Sequence, residues 1–196
     1  MKPLQIYLLA VITLISPVLV QAQDTYMPKG FKKPKNIVLL IGDGMGVSQI
    51  TASMVKNGGD LNMFRLKTIG LIKTSSADNL ITDSGASGTA MATGVKTYNG
   101  AIGVDADKKP MKSILEIAEE KGKSTGVVST SSITHATPAA FYAHRPSRKA
   151  DEKIALDLLG SDVEVAIGGG LKHFQKRSDK QDLMKAFMDH MKEEIK

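Results

Sequence analysis

Short apolar runs rich in β-branched residues alternate with segments of helical periodicity along most of this chain. A run such as residues 36–41 (NIVLLI) is typical of a buried strand, whereas apolar residues four apart, as at Leu183 and Phe187, indicate an amphipathic helix. Because strands that alternate with helices tend to pair in parallel, the sequence predicts an α/β fold with a mostly parallel sheet. The predicted strands cover residues 36–41, 66–73, 124–130 and 163–167. The predicted helices cover residues 47–55, 84–93, 110–121, 137–144, 151–159 and 183–195.

The stretch at residues 80–90 (LITDSGASGTA) places an acid and a hydroxyl side by side before a run of small residues. Asp83 is a good N-cap, so Ser84 is expected to open a helix among unpaired backbone N–H groups and at the positive end of the helix dipole. A hydroxyl in that position suits a nucleophile that meets a phosphate group. The alternative is a capped helix start with no chemistry of its own.

A glycine-rich turn at residues 42–46 (GDGMG) follows the first predicted strand. It does not have the spacing of a dinucleotide-binding loop, because Val47 stands where the last glycine of that motif is required. A carboxylate between glycines is better suited to hold a cation, since the backbone can come close and the oxygens are hard ligands. Asp43 is therefore a candidate metal ligand, with a purely structural role in the turn as the alternative.

Two polar clusters follow the third predicted strand. His135 and Thr137 stand two residues apart and can contact a metal directly or through water, although a capped helix start before Pro138 explains them equally well. Arg148 lies in a basic loop, and its guanidinium can grip two phosphate oxygens at once. A solvated surface arginine is the alternative for this residue.

The composition narrows the classes of partner. The net charge of +6 favours anionic ligands, but only 5% of the residues are aromatic and Trp is absent, which argues against a nucleic-acid interface. The chain contains no cysteine, so a disulfide framework and a thiolate metal site are both excluded.

The first 22 residues read as a signal peptide. Lys2 supplies the positive charge, an apolar run follows, and Val20-Gln21-Ala22 has the form of a cleavage site. We therefore expect an exported protein, periplasmic or secreted, with no membrane association after cleavage. A membrane anchor is the alternative, disfavoured because the run is short. Residues 23–35 read as a basic leader, and 36–196 as one α/β domain.

Five short motifs succeed one another along the chain. They are NIVLLIGDGMG (36–46), TDSGASGTA (82–90), GVKTYNG (94–100), HATPAA (135–140) and SRK (147–149). In this order they resemble the metal-dependent alkaline phosphatases, over residues 36–170. The resemblance implies a central sheet with helices on both faces, a homodimer, and hydrolysis of phosphate monoesters through a phosphoserine intermediate. It also implies two Zn²⁺ ions and one Mg²⁺ ion in a complete site.

The resemblance assigns the catalytic roles to three residues. Ser84 matches the nucleophile, which also binds one zinc ion. Arg148 matches the residue that holds the phosphate oxygens, and Asp83 matches the acid that orients this arginine. A serine hydroxyl is a poor nucleophile near neutral pH, and coordination to zinc would make its alkoxide available.

Three further residues match metal-site positions of the family. Asp43 matches the carboxylate shared between magnesium and one zinc ion, and Thr137 matches a magnesium-site hydroxyl. His135 stands where some members have aspartate, which leaves the metal preference of that site open.

A catalytic zinc ion needs about three protein ligands, and the matched positions supply only Asp43 and Ser84, both toward one zinc ion. We therefore expect the chain to be an N-terminal portion of a longer phosphatase that is not active alone. Two alternatives are a non-enzymatic exported module that binds phosphate or metal, and a related phosphodiesterase or sulfatase.

Overall fold

The computed structural model describes residues 34–194, which fall into two units with the boundary between Ile41 and Gly42. The predicted signal peptide (1–22) and nearly all of the predicted basic leader (23–35) lie outside the described residues. Within the described part of the chain, no helix is long and apolar enough to cross a membrane.

Two parallel strands form the sheet in the second unit. Strand β1 (Gly126–Ser132) pairs with strand β2 (Val165–Gly169), with Gly126 opposite Val165 and an irregularity between Val128 and Ser132. Each strand begins two residues later than its predicted position. The parallel pairing, with a helix in the connection between the strands, confirms the predicted α/β class.

The strand predicted at residues 66–73 is wrong for the described structure. This segment has no β-ladder partner within the described part of the second unit, and its apolar side chains are exposed, as at Ile69 (89%) and Leu71 (98%). In the first unit, the described residues 34–41 form no β-ladder with one another. An extended segment becomes a strand only when a neighbour pairs with its backbone N–H and C=O groups. Side-chain pattern alone does not supply that neighbour.

The helices of the second unit vary from one turn to three. They are α1 (Val47–Lys56), a 3₁₀ turn (Asn62–Arg65), α2 (Ser84–Thr93), α3 (Ile114–Glu119), α4 (Ala136–Ala139), α5 (Asp151–Leu159), α6 (Lys172–Gln175) and α7 (Leu183–Glu194). Helices α2 and α5 have the predicted boundaries. Both ends of α2 follow from its sequence, since Asp83 caps the start and Gly94 takes the left-handed conformation that ends it.

Two helices are shorter than predicted. Helix α3 begins at Ile114 and not at Pro110, because Ser113 and Glu116 form a reciprocal capping box while Pro110 forms a bridge with Val104. The helix predicted over residues 137–144 is confined to α4, after which the chain turns. The buried Tyr142 then donates its hydroxyl to the Ile133 carbonyl.

The core lies between the sheet, α4 and α5. Its buried members are Ile102, Val127, Ile133, Ala136, Ala139, Tyr142, Ala143, Ile154, Ala155, Phe174 and Leu183. Helix α2 packs closely on α4 because Gly88 has no side chain: a Cβ there would lie 3.1 Å from the Ala140 Cβ. This close packing places the start of α2 beside the loop that leads into α4.

Candidate active site

The start of α2 has the predicted capped geometry. The Asp83 carboxylate accepts a hydrogen bond of 2.8 Å from the Ala86 N–H, so Asp83 is the N-cap and Ser84 is the first helical residue. The Ser84 hydroxyl is thereby held at the positive end of the helix dipole, where anions are favoured.

Arg148 joins the two residues that the sequence predicts to act with it. Its Nη1 donates to Asp83 Oδ2 and to Ser84 Oγ, each at 2.9 Å, across more than sixty residues of chain. The side chains of Arg148 and Asp83 are 29% and 27% exposed, so the ion pair is partly shielded while the site stays accessible. The predicted grouping of Asp83, Ser84 and Arg148 is thus present as one contact network.

His135 contacts the same guanidinium from the other side. It is the N-cap of α4, and its Nε2 lies 3.1 Å from Arg148 Nη2. A guanidinium can only donate, so Nε2 accepts and the ring proton is assigned to Nδ1.

Asp43 reaches the other predicted residue of this loop. The Thr137 hydroxyl donates to Asp43 Oδ2 at 2.8 Å, although 94 residues separate them in sequence. Asp43 is exposed in its glycine turn, where Gly44 takes a φ of 69°, and Thr137 is half-buried. Residues 135–137 thus contact Arg148 on one side and Asp43 on the other.

The Asp83 carboxyl is held in its ionised form. Partial burial opposes ionisation, but hydrogen bonds from the Ala86 N–H and from Arg148 outweigh it and lower the pKa of Asp83 from its ordinary value. An ionised Asp83 keeps the Arg148 guanidinium oriented at the start of α2.

The donor atoms in the site fit magnesium better than zinc. A carboxylate and a hydroxyl, from Asp43 and Thr137, supply the hard oxygen ligands that Mg²⁺ prefers. No three His, Asp or Glu side chains of the described chain are grouped closely enough to hold a metal ion, so the described residues do not by themselves fit a zinc site.

Asn99 is a site residue to which sequence reasoning gave no role. Its side-chain Oδ1 accepts from the Asp83 N–H at 2.8 Å, and its Nδ2 donates to the Ile81 carbonyl at 2.9 Å. The available signal was its position in the GVKTYNG motif, where an amide side chain sits in a turn before Gly100.

A concavity of about 540 Å³ lies apart from this network, with residues of α3 and α5 in its wall. Its wall includes His144, whose Nε2 lies 2.9 Å from Glu116 Oε1, and Arg145, which pairs with Asp157. None of the predicted site residues lines it. His144 is half-buried in that wall.

The chain is similar in sequence to known alkaline phosphatases. A family model described as alkaline phosphatase matches residues 34–189. Alkaline phosphatase 4 of Bacillus subtilis is 45% identical over 168 residues, which cover 78% of this chain and 36% of the relative. Alkaline phosphatase of Escherichia coli is 43% identical over 172 residues, with 73% and 36% covered.

Solved structures of alkaline phosphatases are also similar to this chain. The alkaline phosphatase of the Antarctic bacterium TAB5 has a TM-score of 0.78 and 50% identity, over 81% of this chain and 46% of that one. Two further structures of the TAB5 enzyme carry aspartate or glutamate in place of a histidine and have Mg bound in the M3 site. The chain spans less than half the length of the relatives described here.

Proposed function

Because this chain belongs to the alkaline phosphatase family, we propose that it carries the nucleophilic and phosphate-binding part of a phosphomonoesterase site. The reaction is hydrolysis of a phosphate monoester, with Ser84 as the acceptor of the phosphoryl group. The phosphoserine intermediate follows from the role that the family resemblance gives to Ser84.

The observation that carries the proposal is the position of Arg148. One of its nitrogens donates to both Ser84 Oγ and Asp83 Oδ2, so the guanidinium is hydrogen-bonded to the hydroxyl that would attack the substrate. A planar guanidinium can bind two phosphate oxygens in parallel. A purely structural ion pair with Asp83 would not need a second contact to the Ser84 hydroxyl. A phosphoryl group held there would meet Ser84 Oγ at the start of α2, where the helix dipole stabilises negative charge.

The chemical steps follow from these positions. Ser84 Oγ forms a bond to phosphorus as the bond from phosphorus to the leaving oxygen breaks, and the proton lost by the Ser84 hydroxyl is balanced by the proton that the leaving alcohol takes up. Water then attacks the phosphoserine, which releases inorganic phosphate and restores the hydroxyl. Arg148 balances the charge on the transferring group, and Asp83 keeps Arg148 oriented.

Asp43 and Thr137 would hold a magnesium ion, as their hard oxygen donors and the TAB5 structures with bound Mg support. Such an ion supplies Lewis-acid stabilisation of negative charge. The two zinc ions, the homodimer, and export to the periplasm or the medium stay predictions. The described residues do not complete a zinc ligand set.

A single-turnover experiment tests the proposal. The full chain is mixed with an aryl phosphate in the presence of Mg²⁺ and Zn²⁺, quenched in acid, and analysed by peptide mass spectrometry. Because the described residues do not complete a zinc site, we expect slow and partial phosphorylation of Ser84 without sustained turnover, and no phosphorylation in Ser84→Ala. Ser87→Ala is the matched control, since this serine lies one turn further along α2 and hydrogen-bonds the Asp83 carbonyl, and it should be phosphorylated like wild type.

Two results would count against the proposal. Phosphate binding by the folded chain without a phosphoryl adduct would favour the non-enzymatic binding module. Turnover of a diester or sulfate ester at a higher rate than the monoester would favour the related phosphodiesterases and sulfatases.

A further inference from the structure

The segment of residues 98–103 lies between α2 and the loop that carries Arg148; we call it the clamp segment. On the α2 side it comes so close that a Cβ on Gly85 would lie 2.8 Å from the Ala101 carbonyl oxygen. The fully buried Thr89 hydroxyl also accepts a hydrogen bond of 2.9 Å from the Gly103 N–H. The clamp segment is therefore held against α2 at Gly85 and at Thr89.

The same segment is fixed to the arginine loop by backbone hydrogen bonds. Ile102 and Arg145 exchange a pair of N–H···O bonds of 2.9 and 2.8 Å, as in an antiparallel bridge. The Arg148 N–H donates to the Gly100 carbonyl at 2.7 Å. The Tyr98 hydroxyl donates to the Pro146 carbonyl at 2.8 Å. The clamp segment thus holds the backbone of Arg148 itself.

Within the clamp segment, the Asn99 side chain binds the turn that presents Ser84. Its two polar ends contact the Asp83 N–H and the Ile81 carbonyl, so the amide bridges the two sides of that turn. The residue that follows Asn99 is Gly100, which binds the Arg148 backbone. Two consecutive residues therefore connect the Ser84 turn with Arg148.

We propose that Asn99 is a positioning residue, which sets the distance between Ser84 Oγ and the Arg148 guanidinium by holding the Ser84 turn against the clamp segment. This inference rests on the proposed function of these two residues. Asn99 acts through the Asp83 backbone. Small errors in the position of a reacting group lower the reaction rate by large factors. The Asn99 amide binds the backbone of the residue that precedes Ser84, so its loss is expected to affect the chemistry.

The test compares Asn99→Ala and Asn99→Asp with wild type in the full chain. Asn99→Asp has nearly the same volume, but it sets a carboxylate oxygen against the Ile81 carbonyl oxygen, so it isolates hydrogen bonding from packing. Asn57→Ala is the matched control, because this exposed asparagine also donates to a backbone carbonyl, that of Asp60. Inorganic phosphate binding is measured by ³¹P NMR titration, and amide exchange is measured by mass spectrometry on peptides covering residues 81–87 and 151–159.

Asn99→Asp loses the bond to the Ile81 carbonyl, and Asn99→Ala loses both bonds. We therefore expect each variant to bind phosphate at least about tenfold more weakly than wild type, a factor that corresponds to the net free energy of one hydrogen bond. The peptide at residues 81–87 should exchange about tenfold faster, and α5 should exchange at the wild-type rate. Asn57→Ala should leave both measurements unchanged.

Wild-type phosphate affinity and wild-type exchange at residues 81–87 in both variants would overturn the inference. Equal acceleration of exchange in α5 would also overturn it, because it would indicate general destabilisation. If wild-type chain binds no phosphate, the proposed function fails, and the exchange data alone then decide whether Asn99 orders the Ser84 turn.

Discussion

The Nε2 atom of His135 accepts a hydrogen bond of 3.1 Å from Nη2 of Arg148. The nitrogen that faces the guanidinium is therefore engaged, and the same lone pair is not available to a metal ion in this arrangement. A metal ion that binds His135 Nε2 would break the hydrogen bond from Arg148 Nη2. The residue at position 135 thus connects the predicted metal site with the predicted phosphate site.

The first prediction concerns His135→Asp. A carboxylate at this position adds a hard oxygen ligand two residues from Thr137, so we expect Mg²⁺ to bind about tenfold more tightly than to wild type. Isothermal titration with Mg²⁺ measures the change. Asn57→Asp adds the same charge on an exposed turn and should give no gain. An equal gain in both variants would mean that net charge alone raises the affinity.

The second prediction concerns Arg148→Lys, which keeps the positive charge. An ammonium group lacks the planar fork that reaches Asp83, Ser84 and His135 together, so we expect phosphate to bind at least about tenfold more weakly. A ³¹P titration measures the affinity. Lys149→Ala, which removes a charge from the exposed neighbour, should weaken binding by less than about threefold, since surface charges contribute little. A larger effect in Lys149→Ala would indicate that general charge attraction dominates.

The third prediction concerns the pH dependence of stability through Glu116. Partial burial opposes its ionisation, but the Ser113 N–H and His144 more than compensate, so the pKa of the Glu116 carboxyl is lowered from 4.5. A carboxyl with a depressed folded-state pKa contributes stability above its ordinary pKa, and this contribution is lost as the pH falls through the folded-state pKa.

Glu116→Gln keeps an acceptor for the Ser113 N–H, removes the charge, and replaces the oxygen that faces His144 by an amide nitrogen. We expect it to be less stable than wild type by about 0.5 kcal/mol at pH 6, a magnitude typical of partly exposed ion pairs, and to converge with wild type below pH 4.5. Urea unfolding from pH 6 to pH 3 measures the difference. The exposed Glu164→Gln should show no such convergence. A difference that stays constant across this range would contradict the assignment.

The local features of the fold follow from the sequence where short-range chemistry decides them. Asp83 caps α2, and Gly94 ends it, because an acceptor side chain and a left-handed residue are needed at those positions. The candidate site was also predictable as a set of residues, from motifs in a fixed order. Its grouping in space depends on contacts such as Thr137 with Asp43, which cross 94 residues of chain.

Other features of the fold depend on contacts between residues, which the hydrophobic periodicity of the sequence does not indicate. The run at residues 66–73 has the alternation of a strand but no β-ladder partner within the described part of the second unit. Pro110 is compatible with a helix start, yet the reciprocal bonds of Ser113 and Glu116 define that start four residues later. Asn99 was missed because its role depends on the Asp83 backbone, 16 residues away.

The last prediction concerns Gly85→Ala, at the contact between α2 and the clamp segment. Replacing a helical glycine by alanine ordinarily stabilises a protein by about 0.5–1 kcal/mol. Here the new Cβ would lie 2.8 Å from the backbone carbonyl of Ala101, closer than Cβ contacts allow, so the clamp segment must move away from α2. We expect the free energy of unfolding in urea to fall by about 1–3 kcal/mol, together with weaker phosphate binding.

Gly70→Ala, where the added Cβ meets open space, should change the free energy of unfolding by less than about 0.5 kcal/mol. A Gly85→Ala chain as stable as wild type would show that the clamp segment can move without loss of stability. It would then contradict the view that this segment fixes the position of Arg148 relative to Ser84.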